Sequence, residues 1–597
     1  RYWPQEGSAQ MSAAAENASP STDSKLVALR VWPAIVLLVL FGLVKYAYLI
    51  NGEYTPILFM LSVFGPMLIG LLAAIWWVFA SRATKRERWQ GILEVLVIGT
   101  VGFFVADKSM RGMAFFFYPY PLALALFLGL LTLLGSWRSE MRTKLTVLTL
   151  LAVFGYCALI RLDGLTGDFN AEITYRWQPT PEDKLVAAIG RPKAPAETAN
   201  AEPLGAVTWA DFRGARRDAI VPGVKLATDW KAQPPREIWR KPVGPGWSSF
   251  VIAGNRLFTQ EQRGDNELVV CYDANTGNER WRHETSARFW ESVAGAGPRA
   301  TPTLAQGGLF TLGATGVLIR FDPLSGQVVW QRNLKDDSQR DLPIWGFSSS
   351  PLVVGDVVVV HGGGKDDKGL FAYDVATGSP RWQVAAGNDS YSSAHLATIA
   401  GRESLLMLTN TGLTAHDPAS GKLHWEHAWP FNNYRVVQPL VLDGSRVILG
   451  TGMGAGTRCI EVKPDGEGVK IETVWTTSEM KPDYNDYVAH QGFIYGFDHN
   501  IFACVDLATG KRKWKKGRYG NGQVLLLPDA NQLLVLSEEG EAVLLNANPE
   551  KLDELARHSV LKGKTWNHPA LVGNRLYSRN AEEMSCFELP LATAAGE

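Results

Sequence analysis

The sequence predicts an all-β, eight-bladed β-propeller preceded by an α-helical membrane domain of five spans. Three observations carry the prediction: five apolar runs between residues 31 and 160, a phrase that recurs five times in one register after residue 236, and incomplete copies of that phrase at the two ends of the repeat region that complete each other. At 597 residues the chain is too long for one ordinary core, and near residue 161 long apolar runs give way to a mixed stretch rich in Trp and Gly. With 59 basic against 59 acidic residues there is no general attraction for nucleic acid, so no nucleic-acid partner is expected.

Residues 1–30 read as a cytoplasmic tail. The stretch from Arg1 to Ser24 has no apolar core of a cleavable signal, so the first span is expected to serve as an uncleaved anchor. The membrane domain, 31–160, places its spans at 31–50, 56–80, 91–106, 115–135 and 145–160, each near the length that crosses about 30 Å of hydrocarbon. Lys25 and Arg30 precede the first span, Arg82, Lys85, Arg86 and Arg88 separate the second from the third, and Arg138, Arg142 and Lys144 separate the fourth from the fifth. The alternate loops hold only Lys108 and Arg111. This asymmetry puts the N-terminus inside the cytoplasmic (inner) membrane, and an odd number of spans then puts everything after residue 160 in the periplasm or its extracytoplasmic equivalent. Lys45 and Glu94 fall inside spans but near their ends, where a side chain reaches the headgroups without serving a proton path.

Residues 161–235, with a Pro and Ala run between Pro179 and Pro203, read as an extended extracytoplasmic linker without chemistry of its own. The propeller region follows at 236–590, and 591–597 is a tail. Its phrase is Asp, two residues, Thr or Ser, Gly, three residues, Trp: CYDANTGNERW, RFDPLSGQVVW, AYDVATGSPRW, AHDPASGKLHW and CVDLATGKRKW, ending at Trp281, Trp330, Trp382, Trp425 and Trp514. The Asp closes one strand, the Gly supplies a left-handed turn position, and the Trp lies on the returning strand. One further copy, ending at Trp475, has an expanded turn, and another between residues 545 and 560 lacks the Trp. The segment around Trp239 is a fourth strand without its first three, while NHPALVGNRLYSRNAEEMSCFEL is three strands without a fourth. Joining them gives eight units at a spacing of about 46 residues and closes a ring, which removes exposed sheet edges.

These motifs resemble the PQQ-binding-like β-propeller repeat family of the quinoprotein dehydrogenase-like superfamily, in which the turn glycine and docking tryptophan lock neighbouring blades. The resemblance covers residues 236–590, and it implies that the repeat tryptophans are contacts between blades. Cys157 belongs to the fifth span; Cys271, Cys459, Cys504 and Cys586 occupy one repeat position on different blades, where other copies have Ala372 and Ala415. Equivalent positions on separate blades are too far apart for a disulfide, so these residues are expected to be small buried strand residues. No CxxC, haem-attachment or zinc spacing occurs, and no metal ligands are expected from cysteine.

In a four-stranded meander the connections between blades converge on one mouth of the central channel. They carry Trp247, Trp290 with Glu291 and Arg299, Trp345, Tyr391 with His395, Tyr434 with Gln438, and Trp566 with His568, which together form the expected ligand- or cofactor-binding rim. The resemblance implies two activities. Membrane-bound quinoprotein glucose dehydrogenases have five helices ahead of an eight-bladed propeller and use PQQ with Ca²⁺ beside an Asp general base. On that pattern FDHNIFACVD supplies Asp498 as the candidate catalytic base and Asn500 as a cofactor-side residue, with Ile501 where that family has Gly. The propeller lipoprotein of the outer-membrane β-barrel assembly machinery uses the same fold as a platform without a cofactor. The expectation is a membrane-anchored binding or scaffold module for an envelope protein, glycan or small ligand. The alternative is a PQQ-dependent dehydrogenase that oxidises an alcohol or sugar and passes electrons to membrane quinone.

Overall fold

The computed structural model describes residues 28–47, 56–167, 170–189, 202–452 and 455–592; Lys25, the end of the first expected span, most of the Pro and Ala run and most of the C-terminal tail lie outside the described residues. The chain divides into two compact units, Arg1–Arg161 and Leu162–Glu597.

Four helices of the first unit, Met60–Ala80, Lys85–Val105, Ala114–Leu133 and Ser139–Leu159, are long and apolar enough to cross a membrane. Trp32–Lys45 is a shorter apolar helix that ends on Lys45. Two helices begin about a turn and a half earlier than the apolar pattern predicts. Thr84 caps one by accepting a hydrogen bond from the Glu87 N–H, and Glu87 then meets Arg142 of the other at 2.9 Å, with both side chains buried. Arg142 also donates to the carbonyls of Gly135 and Trp137. The pair neutralises the charged first turns, so residues that read as loop in the sequence continue the helices.

In the second unit eight antiparallel sheets each contain a four-stranded meander, and the eighth is completed from the front of the repeat region. Ala570–Val572, Arg575–Arg579 and Glu583–Glu588 are closed by Arg236–Pro242, with Cys586 opposite Trp239. The same cross-strand pair recurs as Cys271 with Trp281, Ala372 with Trp382, Ala415 with Trp425, Cys459 with Trp475 and Cys504 with Trp514. A small side chain faces each of these indoles, which is why Cys and Ala interchange there; Trp330 is the exception and pairs with Arg320.

The phrase folds as its chemistry requires. Asp273 accepts hydrogen bonds from the backbone of Asn275 and Thr276 and from the Thr276 hydroxyl; Asp374 does the same for Ala376 and Thr377. The turn glycine then lies flat under the tryptophan of the preceding blade. At Gly277, Gly326 and Gly378 φ lies between +68° and +72°, and a Cβ would come within 2.6 to 2.8 Å of the rings of Trp239, Trp281 and Trp330. Each of those indoles donates to a carbonyl of the next blade: Trp239 to Ala274 at 3.0 Å, Trp281 to Pro323 at 3.1 Å and Trp330 to Val375 at 2.9 Å.

The linker expected at 161–235 is not a spacer throughout. Pro181–Ile189 is helical, and from residue 202 the chain enters the propeller. Val207–Trp209 pairs with Val251–Ala253, adding a fifth strand to the innermost edge of the first blade. Further on, Val221 donates to Leu526 O at 2.8 Å and Leu526 to Ala219 O at 2.9 Å, on the seventh blade. A segment that touches the inner strands of blades on several sides occupies the axis. Trp209, Val221, Val224, Leu226 and Trp230 join the buried core there, and their aperiodic spacing is why neither strand nor helix is legible in the sequence.

Candidate functional site

The axis is held by the nonapeptide DFRGARRDA, 211–219. Three non-glycine residues in it have left-handed backbone: Arg213 at φ +63°, Arg217 at +56° and Ala219 at +60°. The surroundings impose this conformation. Arg217 donates two hydrogen bonds of 2.8 Å to the Asp211 carboxylate, one of 2.7 Å to Ala394 O, and another to Pro351 O. Arg213 donates to Tyr487 O at 3.0 Å and lies 3.5 Å from Asp486. Both arginines are buried and each is met by a carboxylate; Arg217 also reaches carbonyls of two blade connections, and Arg213 reaches Tyr487 O and, within the plug, Arg217 O.

The blade connections form a girdle around this plug. Ser249 N donates to Thr301 Oγ1 at 3.0 Å, Thr301 N to Ser350 Oγ at 3.0 Å and Ser350 N to Ser393 Oγ at 2.8 Å. Gln438, also buried, continues it: its N–H donates to Asp486 Oδ1 at 3.1 Å and its amide to Ser393 O at 3.3 Å. His395 and His568 are buried beside the plug, and burial together with the nearby arginines holds each down to about 3, so both imidazoles are neutral at physiological pH. His568 packs edge-on against Phe212, with ring centres 5.8 Å apart. Of the expected rim residues, Gln438, His395 and His568 thus belong to the interior girdle.

The aromatic residues separate into two clusters. Trp566 stands between Trp247 and Tyr484 at 4.9 and 4.8 Å, and its polar atoms and theirs are engaged: Trp247 Nε1 donates to Ala294 O, Trp566 Nε1 to Glu538, and Asn521 Nδ2 to the Tyr484 hydroxyl, all at 2.8 Å. Lys564 lies over both tryptophan rings and is fastened to Leu165 O at 3.0 Å and Glu172 at 2.6 Å, so the chain just after residue 162 covers this cluster. Glu291 and Arg299 pair at 3.0 Å beside it; Glu291 accepts from Val293 N and Ala294 N, and Arg299 donates to loop carbonyls. They shape the loop and offer no free charge. Trp290 is 40% exposed and joins neither cluster among the described residues.

The second cluster is Trp345 with Tyr391 at 5.1 Å and Tyr434 at 4.1 Å. It borders a cavity of about 440 Å³ that reaches Arg340, Asn388 and Asp389.

Asp498 is fully buried, with Lys515 at 2.8 Å, Arg512 at 3.1 Å and Lys481 at 3.5 Å, and it accepts a further bond from Lys481 N. Its carboxylate ties three strands and loops together and is not poised as a base. Asn500 sits in the adjacent turn, between the strands Phe493–Asp498 and Ile501–Asp506. Among the described residues no group of three or more His, Cys, Asp or Glu is placed to hold a metal ion. The residues missed by sequence reasoning are Asp211, Arg213 and Arg217; their only trace is the density of charge in WADFRGARRD.

A family model described as outer membrane protein assembly factor BamB matches residues 230–383 and 296–516. The outer membrane protein assembly factor BamB of Shewanella oneidensis is 22% identical over 375 residues, which is 58% of this chain and 86% of that protein. Among solved structures, BamB from Moraxella catarrhalis is 15% identical with a TM-score of 0.42 over 60% of this chain and 100% of its own. Quinohemoprotein alcohol dehydrogenase from Comamonas testosteroni is 12% identical with a TM-score of 0.46 over 70% of this chain and 85% of its own. The repeat region is an eight-bladed β-propeller whose sequence resembles the PQQ-like repeat family.

Proposed function

We propose that this protein is a non-catalytic binding module of the cell envelope, anchored by its apolar helices and presenting an extracytoplasmic propeller mouth to a protein, glycan or small ligand. The observation that carries the reading is the plugged axis. A flat quinone cofactor with a divalent ion needs an open cradle at the centre of the mouth and a carboxylate free to take a proton. Here Phe212, Arg213 and Arg217 fill the centre, and Asp498 is surrounded by three cations. The residues present do not fit PQQ with Ca²⁺, and no oxidation step is derived from them. Similarity to an assembly factor supports the same reading.

The test is a titration of the full chain in detergent with PQQ and Ca²⁺, followed by cofactor absorbance and dye-linked oxidation of alcohols and sugars. The expected result is no saturable cofactor binding and no turnover. Turnover that disappears in Asp498→Ala would overturn the proposal.

A further inference from the structure

The mouth has one covered sector and one open sector, and the open one has hydrogen-bonding capacity to spare. The cavity beside Tyr391 and Tyr434 shares Arg340, Asn388 and Asp389 with a second cavity of about 430 Å³, which continues to Asn410, Phe431 and Asn432. Its framework is fixed: Asn410 N donates to Asp389 O at 2.9 Å, Asp389 N to Asn410 Oδ1 at 3.2 Å, Asn410 Nδ2 to Asn388 Oδ1 at 2.9 Å, and Phe431 N to Asn410 O at 2.8 Å. The outward groups are unspent. Among the described residues the Asp389 carboxylate accepts no hydrogen bond, its nearest cation being Arg340 at 4.0 Å. The Asn388 amide nitrogen donates to none, and the exposed Asn432 side chain makes none. Around Trp247, Tyr484 and Trp566, by contrast, the ring N–H groups, the tyrosine hydroxyl and the Lys564 ammonium are all engaged.

We infer that the open sector is a binding site for a neutral glycan, a short run of hexose or N-acetylhexosamine units; this rests on the reading of the propeller as a binding module. A sugar ring presents hydroxyls that both donate and accept, and a face of C–H groups. A carboxylate and several planar amides satisfy the first, and the rings of Tyr391 and Tyr434 that line the cavity satisfy the second. Arg340 against Asp389 leaves the groove without net charge, which disfavours a polyanion. Leu342, Pro343 and Ile344 give the groove an apolar edge near Tyr434, but its other end presents Asn388, Asp389, Asn410 and Asn432, which an apolar peptide anchor would leave without partners and sugar hydroxyls would not.

The experiment uses the full chain in a detergent that carries no sugar headgroup, with the N-acetylglucosamine tetramer and maltotetraose as probes in saturation-transfer NMR and calorimetry. At least one should bind saturably with a dissociation constant of about 1 mM or tighter. Asp389→Asn and Tyr434→Ala should weaken binding at least tenfold, and Lys463→Ala, at an exposed position of the strand Gly456–Asp465, should leave it unchanged. Asn432→Ala should show a loss of the same sign, and its side chain has no bond in the fold to lose. Absence of saturation by both probes, or binding indifferent to all three groove substitutions, overturns the inference. Binding of an aromatic-rich peptide at Tyr434 where neither sugar binds also overturns it while sparing the binding-module reading, which fails separately if PQQ binds and supports turnover.

Discussion

Arg217 meets Asp211 inside the propeller, so truncating it strands a buried carboxylate. Arg217→Ala should lower stability by about 3–5 kcal/mol, read as a shift in the denaturation midpoint monitored by tryptophan fluorescence. An unchanged midpoint would mean that the plug carries no stabilising contacts. The buried histidines give a pH dependence of definite sign. His395 and His568 are held down to about 3 in the fold, whereas an unfolded imidazole titrates near its ordinary value, so the unfolded state binds more protons as pH falls through about 6.5 and stability declines. Each costs about 2 kcal/mol at pH 5 relative to pH 8. Glu267, pushed up to about 7 by burial, acts in the opposite direction, since protonation relieves its burial. The informative quantity is therefore the difference between the wild type and His395→Gln/His568→Gln: the double variant should lose less stability between pH 8 and pH 5. Equal losses would show that these imidazoles are not buried neutral.

Elements repeat one locking device, and its failure should be local and additive across distant blades. Gly378→Ala places a Cβ 2.6 Å from the Trp330 ring at φ +72° and should cost about 1–3 kcal/mol. Trp239→Ala removes the indole on the strand that closes the ring and should cost about 3–5 kcal/mol, with the eighth blade losing hydrogen-exchange protection first. Retained protection in Glu583–Glu588 would contradict the closure. This device was legible in the sequence because everything it needs is local: an Asp, a Thr or Ser, a Gly and a Trp at fixed offsets. The early starts of the helices at Lys85 and Ser139 were not, because they depend on Glu87 and Arg142, which lie 55 residues apart in the chain. The plug was illegible for the same reason. Arg217 in FRGARRD reads as a solvated charge until the carbonyls of Ser350, Pro351 and Ala394 are brought around it. At the candidate site the aromatics of the rim were legible as a set, and their division was not. Whether a tryptophan is covered or open depends on where Leu165 and Glu172 come to rest. Asn388, Asn410 and Asn432 look like ordinary loop residues until the fold places them around one cavity.

At the scale of the whole molecule, the proposed function assigns the helical unit the role of an anchor and the propeller that of a binding surface. A reporter fused after Gly167 should be active only when exported, and cytoplasmic activity would reverse the orientation drawn from Arg82 to Arg88 and Arg138 to Lys144. The proposed binding role requires the axis of the propeller to be filled by the chain's own residues, with Arg213 and Arg217 held there by the blade connections. The most direct measurement is hydrogen exchange of the amides of Val221 and Leu526, which bond to Leu526 O and Ala219 O. Protection of both, equal to that of the neighbouring core strand Gln532–Leu536, is the predicted result; exchange of Val221 at the rate of an unstructured chain would show an open axis and contradict the account.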